Sequence, residues 1–297
     1  VNNNNITIGI PTYKREFYVC RLLMQIAEQL QEVEGLIDEV IVISDASMEN
    51  EYWDMALNLL KYSDVKIYTA EQCSGERYGL VGAHQKVLDL AQSPWILRLN
   101  DDVVLPHHFF KWIKHWVNTP FMNYGISWAN GQHYDSLGMG FMFAGLEPGP
   151  DGYWKYKSNP TVNGLRNRID FDKQELYNGQ IGRPATRHFG VLDRAEFLYG
   201  AGFLYERYSA QEGGGYNPEL FKTCAMHEEV NLAVNMRKFN PDGIFWVIND
   251  IELIDLNPQQ NVEHDVSRRS YEQDEDDKEV IKQHEEELWA RWKTLLK

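Results

Sequence analysis

The chain is poor in cysteine, with three in 297 residues (Cys20, Cys73 and Cys224) and no Cys-x-x-Cys pair. That spacing indicates neither a disulfide framework nor a cysteine zinc site. Histidine is present nine times but never as His-x-His or His-x-x-x-His, so a histidine zinc centre is not indicated either. No apolar run reaches the length that spans a bilayer. The opening residues, Val1 to Asn5, are polar and lack the apolar core of a secretory signal, so a reducing, cytoplasmic setting is the expectation. Basic residues are outnumbered, 29 against 44 acidic, for a net charge of −15. This balance weighs against broad electrostatic binding to nucleic acid or to an anionic membrane surface. No internal repeat is evident.

Hydrophobic residues, in contrast, make up 43% and aromatics 13%, enough for a large packed core. Short β-rich runs alternate with helical periodicity over the first hundred residues. Ile6–Ile10, Glu39–Ser44, Val65–Thr69 and Trp95–Leu99 read as strands. Residues 17–30, 50–62 and 80–91 read as helices from their apolar spacing. This alternation predicts an α/β fold with a mostly parallel sheet covered on both faces. Ligands of such sheets bind beyond the carboxyl ends of the strands. Three polar clusters follow those ends: Thr12–Arg15, Asp45–Ser47 and Asp101–Asp102.

From 107 to 117 the pattern is helical; from about 119 to 190 periodicity is lost, which reads as irregular strands and loops. It returns at Gly200–Tyr205, a strand whose glycines point to close backbone approach. A loop follows at Gly213–Gly215, then a helix over 226–238 and a strand over 245–248. A long acidic helix spans 271–297, with Ile281, Leu288, Trp292 and Leu295 as its apolar stripe.

Adjacent carboxylates such as Asp101 and Asp102 repel each other and are most easily tolerated beside a divalent cation, which in turn accepts phosphate oxygens. A solvated turn is the plainer alternative. Asp45 and Ser47 can hydrogen-bond a base or ribose, or cap a helix. Thr12, Tyr13 and Arg15 can offer a hydroxyl, an aromatic face and a cation to a nucleotide. Glu228 and Glu229 start a helix, where the macrodipole favours carboxylates; there they either serve as a general base or simply stabilise the helix. His264 is a candidate third metal ligand or a surface histidine.

Taken in order, ITIGIPTYKRE, VIVISDASMEN, GLVGAHQKVLDLAQSPWILRLNDDVVLP and GGGYNPELFKTCAMHEEVNLAVNMRKFN resemble the motifs of GT-A glycosyltransferases, in particular inverting family 2 enzymes. The resemblance implies a GT-A, Rossmann-like fold. Residues 1–106 would form its nucleotide-sugar half and 107–265 a mixed acceptor-binding and catalytic half, with 266–297 a C-terminal helix. It implies that Thr12, Tyr13, Arg15, Asp45, Ser47 and Asp101 contact the nucleotide. Asp101, Asp102 and His264 would hold Mn2+ or Mg2+, and Glu229, with Glu228 beside it, would be the catalytic base. The implied reaction transfers a sugar from a nucleotide-diphosphate donor, by family habit UDP, to a hydroxyl acceptor such as a glycan. The sequence departs from the family pattern at Ser44, Asn100 and Asn231, where acids are frequent, and in the Glu-Glu pair. Two alternatives stand beside it: a sugar nucleotidyltransferase, which would want a glycine-rich loop where Pro11–Arg15 stands, and a non-catalytic binding module on the same fold. A dinucleotide oxidoreductase is disfavoured because no Gly-x-Gly-x-x-Gly follows the first strand.

Overall fold

The computed structural model describes residues 5–44, 51–61, 65–71, 78–118, 136–148, 154–158, 168–177, 192–198, 202–220, 227–256 and 275–296. The first half is the expected alternation. It runs β1 (Ile6–Thr12), α1 (Glu16–Leu30), β2 (Ile37–Ser44), α2 (Glu51–Lys61), β3 (Lys66–Glu71), α3 (Gly79–Leu90) and β4 (Trp95–Leu99). After β4 come the two-residue β5 (Val103–Val104) and α4 (Phe109–Val117). The second half contributes β6 (Ser136–Pro148), β7 (Trp154–Ser158), β8 (Arg168–Asp170), β9 (Glu175–Tyr177), β10 (Leu192–Ala195) and β11 (Gly202–Glu206). It ends with α5 (Arg207–Gly213), α6 (Glu228–Phe239), β12 (Ile244–Asp255) and α7 (Glu275–Leu295).

One sheet carries both halves, in the order β10-β12-β6-β11-β4-β1-β2-β3. β3, β2, β1 and β4 are mutually parallel. β11 then runs antiparallel to both β4 and β6, so direction reverses at the middle of the sheet. β12 is parallel to β6 and antiparallel to β10. This is the mostly parallel sheet with a mixed second half that the sequence implied.

The alternation of side chains along each strand divides the core into two layers. Ile6, Ile8 and Ile10 of β1 and Trp95, Leu97 and Leu99 of β4 enter one layer with α1, α2 and α4. Ile96 of β4, Ile41 and Ile43 of β2 and Phe203 and Tyr205 of β11 enter the other with α3, α6 and α7. Arg98 is the next residue on that second face, and it is buried. Cys20 is buried in the first layer, as its helical position suggested.

The stretch without periodicity contains a long central strand. β6 reads Ser-Leu-Gly-Met-Gly-Phe, and its glycines hide it. A Cβ on Gly138 would stand 2.6 Å from the carbonyl oxygen of Leu204 and 2.9 Å from Leu198 Cδ1. Glycine therefore stands at 138 and 140 because β11 and Leu198 press on the strand there. The C-terminal helix docks through Leu288, Trp289 and Trp292, all buried, on the second layer. Among the described residues no helix is long and apolar enough to cross a membrane.

Candidate functional site

Two clusters form at the carboxyl end of β4. The first joins the ends of β1 and β4. Asp101 and Asp102 follow β4 after Asn100 and are both buried. Thr12, the last residue of β1, donates its hydroxyl to Asp101 Oδ2 at 2.7 Å. Arg15, at the start of α1, places Nη1 3.2 Å from Asp101 Oδ1 and 3.1 Å from Asp102 Oδ2. The chain gets from Thr12 to Arg15 through Lys14 in the left-handed region, at φ 51°. Lys14 Nζ lies 5.3 Å from the centre of the Tyr13 ring. Burial pushes the Asp101 carboxyl up to about 6, against the pull of Arg15. Asp102 is also raised by burial, again opposed by Arg15.

Asp102 Oδ1 is buried without a hydrogen-bond partner among the described residues. An unpaired buried carboxylate oxygen is costly. Among the described residues it faces no donor, it belongs to a hard oxygen ligand, and a second carboxylate sits beside it. This donor set fits a Mg2+ or Mn2+ ion, which is held by one or two carboxylates and completed by phosphate and water. Among the described residues no group of three potential His, Cys, Asp or Glu ligands forms. His264, the suggested third ligand, lies outside the described residues, as do Asp45 and Ser47. The latter two follow Ser44, which is the register partner of Thr12, so their strand ends level with the cluster.

The second cluster is the start of α6. Glu228 and Glu229 are its first two residues and both are buried. Arg98, which projects from β4 into the second layer, donates from Nη2 to Glu228 Oε1 at 2.7 Å. Its guanidinium lies 5.2 Å from the Phe203 ring centre and 5.9 Å from that of Tyr216. Burial works against the charge of Arg98, but Glu228, Tyr216 and Glu229 together outweigh it and hold the guanidinium above its ordinary range. The Glu229 carboxyl is pushed up to about 8 by burial and by neighbouring Glu228, while Arg98 pulls it down. His84, stacked on Tyr216 at 5.3 Å, is kept neutral by burial and by Arg98.

The helix start is braced from behind. Asn231 donates to the carbonyl of Tyr216 at 3.0 Å and accepts from Trp292 Nε1 at 3.0 Å. Asn235 donates to the carbonyl of Gly215 at 2.7 Å. His227, just before the helix at φ 66°, places Nε2 3.2 Å from Glu285 Oε1 of α7. The glycine loop is a tight turn: Gly214 and Gly215 have φ of 104° and 66°. A Cβ on Gly213 would stand 2.3 Å from the carbonyl oxygen of Asn235. The glycines thus bring the turn against α6 and fix the helix; that is the use the structure shows for them.

Thr12, Tyr13, Arg15, Asp101, Asp102, Glu228 and Glu229 are candidates from the sequence alone; Arg98 and Arg21 join them only in the structure. Arg21 of α1 donates to the carbonyl of Val103 at 2.7 Å, just beyond the acidic pair. The available signal was a charged residue inside the buried run Trp-Ile-Leu-Arg-Leu, which demands a buried partner.

Residues 7–134 match the sequence profile described as "Glycosyl transferase family 2". Three solved structures illustrate the fold. The first is GalNAc-T7 with UDP, GalNAc and Mn2+, with 14% identity and TM-score 0.58 over 86% of this chain. The second is the mannosyltransferase PcManGT of Pyrobaculum calidifontis with GDP-Man and Mn2+, with 13% identity and TM-score 0.52 over 86% of this chain. The third is S. aureus TarS 1-349, with 12% identity and TM-score 0.52 over 87% of this chain. The chain spans 44%, 58% and 62%, respectively, of those solved chains. No curated protein matches its sequence.

Proposed function

We propose that this chain, whose residues 7–134 match the family 2 glycosyltransferase profile, is a glycosyltransferase that moves a sugar from a nucleotide-diphosphate donor to a hydroxyl acceptor with inversion at the anomeric carbon. The observation that carries the reading is the convergence at one strand end of a buried, partly unsatisfied aspartate pair and a buried glutamate pair. A UDP-sugar is the first donor to test, with a GDP-sugar as the second.

Asp101 and Asp102 would hold the divalent cation. When bound, such an ion supplies charge neutralisation and a template for the departing diphosphate. Thr12 and Arg15 orient the two carboxylates, and Arg15 is placed to turn its guanidinium to a donor phosphate. Glu229 accepts the proton of the acceptor hydroxyl as that oxygen bonds to the anomeric carbon. The bond from that carbon to the diphosphate oxygen breaks on the opposite face, and the nucleoside diphosphate leaves with the electron pair. A positioned base of this kind contributes about two to four decades of rate. Asp45 and Ser47 are assigned to the base and ribose, and His264 to the metal, from their place in the motifs. A nucleotidyltransferase is disfavoured by Pro11–Arg15, which has no glycine run to cradle a triphosphate.

The test is nucleotide release from UDP- and GDP-sugars in Mn2+, with Asp102→Asn and Glu229→Gln beside the parent. The expected result is release by the parent and a loss of at least about 100-fold in each variant. Unchanged turnover in both variants would remove the site assignment. Donor binding without any turnover would instead make the chain a binding module.

A further inference from the structure

The two glutamates at the start of α6 are chemically alike, but the fold does not treat them alike. Glu228 Oε1 is bound at 2.7 Å by Arg98, and both side chains are about 5% exposed or less. Arg98 is itself confined. Phe203 and Tyr216 lie over its guanidinium, and Tyr216 is held by Gln85, which accepts from its backbone N–H at 2.8 Å. A guanidinium caught between aromatic rings in a dry layer cannot follow a moving carboxylate, and parting a buried ion pair is strongly unfavourable. Glu228 is therefore fixed. Glu229 is one residue further along, about 100° around the helix axis. Among the described residues it has no ion-pair partner of its own. The charged groups that face it are Glu228 on its own helix and Arg98 on β4. The phenols of Tyr205 and Tyr216 complete the layer around Arg98.

We propose that Arg98 is a positioning residue that divides the labour between the glutamates, fixing Glu228 as a buried structural anion and leaving Glu229 as the group that takes the acceptor's proton. This rests on the glycosyltransfer reading and deepens it, because the sequence alone left open which glutamate is the base. It also gives Glu228 a task. Its negative charge sits beside Glu229 and strengthens that carboxylate as a base, while Arg98 limits the effect. Burial and Glu228 already raise Glu229 to about 8.

The experiment is the pH profile of nucleotide release from UDP-N-acetylgalactosamine and from GDP-mannose in Mn2+, with water as acceptor. It compares the parent with Glu229→Gln, Glu228→Gln, Arg98→Met, Arg98→Lys and the double variant Arg98→Met/Glu228→Gln. Glu229→Gln loses about 100- to 10,000-fold in kcat and its residual rate has no rising limb. Glu228→Gln removes the neighbouring anion, so the limb moves down in pH by about 1 to 3 units. Arg98→Met removes the cation and moves the limb up by a similar amount, and Arg98→Lys returns it toward the parent's position. Arg98→Met leaves a buried carboxylate unpaired and is the variant at risk of not folding. The double variant removes both charges, keeps the layer neutral and places the limb between those of the two single variants. Mn2+–UDP affinity, measured by calorimetry, stays within about twofold in every folded variant, because Asp101 and Asp102 are untouched.

If Glu229→Gln is inactive but the limb stays put in Glu228→Gln and in the double variant, Arg98 only supports the fold: the inference fails and the base assignment stands. A loss in Glu228→Gln as deep as that in Glu229→Gln overturns the division of labour. Full activity in Glu229→Gln, or no release from either donor by the parent, overturns the glycosyltransfer site and the inference with it.

Discussion

Replacing Glu229 with Gln should change how stability depends on pH. The carboxyl is buried, and burial together with Glu228 raises it from the ordinary 4.5 to about 8. The folded protein therefore holds a proton that the unfolded chain has already released. The stabilisation from that proton is complete below about pH 4.5, declines as pH rises and is gone once pH passes about 8. Over that window the slope is about 1.4 kcal/mol per pH unit, so the whole effect is on the order of 5 kcal/mol. Gln mimics the neutral carboxyl and has no proton to lose. The assay is urea unfolding of both proteins at intervals from pH 5 to 9. Other titrating groups, including Asp101 near 6, occur in both proteins and largely drop out of the difference. Relative to the parent, the variant should gain stability steadily up to about pH 8 and then level off. A difference that stays flat across the window would refute the claim that Glu229 is a buried acid with a raised pKa.

Three further outcomes are expected. Arg15→Met strips the bridging cation from two buried carboxylates, costing about 3 kcal/mol without metal; Mn2+ should then raise Tm more in the variant than in the parent, as thermal shift would report. Trp292→Phe shortens a fully buried ring and leaves Asn231 Oδ1 without its donor, a loss of about 2 to 4 kcal/mol in urea unfolding once the void is added to the orphaned acceptor. Gly213→Ala drives a methyl into the carbonyl of Asn235 in α6, costing about 1 to 3 kcal/mol and lowering kcat more than donor affinity, which steady-state kinetics and calorimetry would separate.

The parallel half was legible because its central strands are short, mostly apolar runs bounded by turns, as in Glu-Val-Ile-Val-Ile-Ser and Trp-Ile-Leu-Arg-Leu. The strand ends also mark Thr12, Arg15, Asp101 and Asp102, which the structure brings into contact. β6 was not legible. Its glycines at 138 and 140 serve close packing against Leu198 and β11, and a rule that reads glycine as loop misses a strand made thin for its neighbours. The Arg98–Glu228 pair was hidden for a different reason. Its members are 130 positions apart, and local periodicity carries no information on which buried charges meet. Asn231 looked like a missing acid; it is instead a two-sided amide linking α6 to Tyr216 and Trp292, a use only the tertiary arrangement could disclose.

The reversal of strand direction at β11 has a mechanical consequence. Because β4 and β6 are both hydrogen-bonded to that one strand, the part that would grip the donor and the part that would present the acceptor have no seam between them. Domains joined by a linker can swing shut around a ligand, but a continuous ladder of backbone bonds cannot bend that way without breaking. The spacing of the aspartate and glutamate pairs is then set when the chain folds, because Asp101 and Asp102 follow β4 and Arg98 of that same strand holds Glu228.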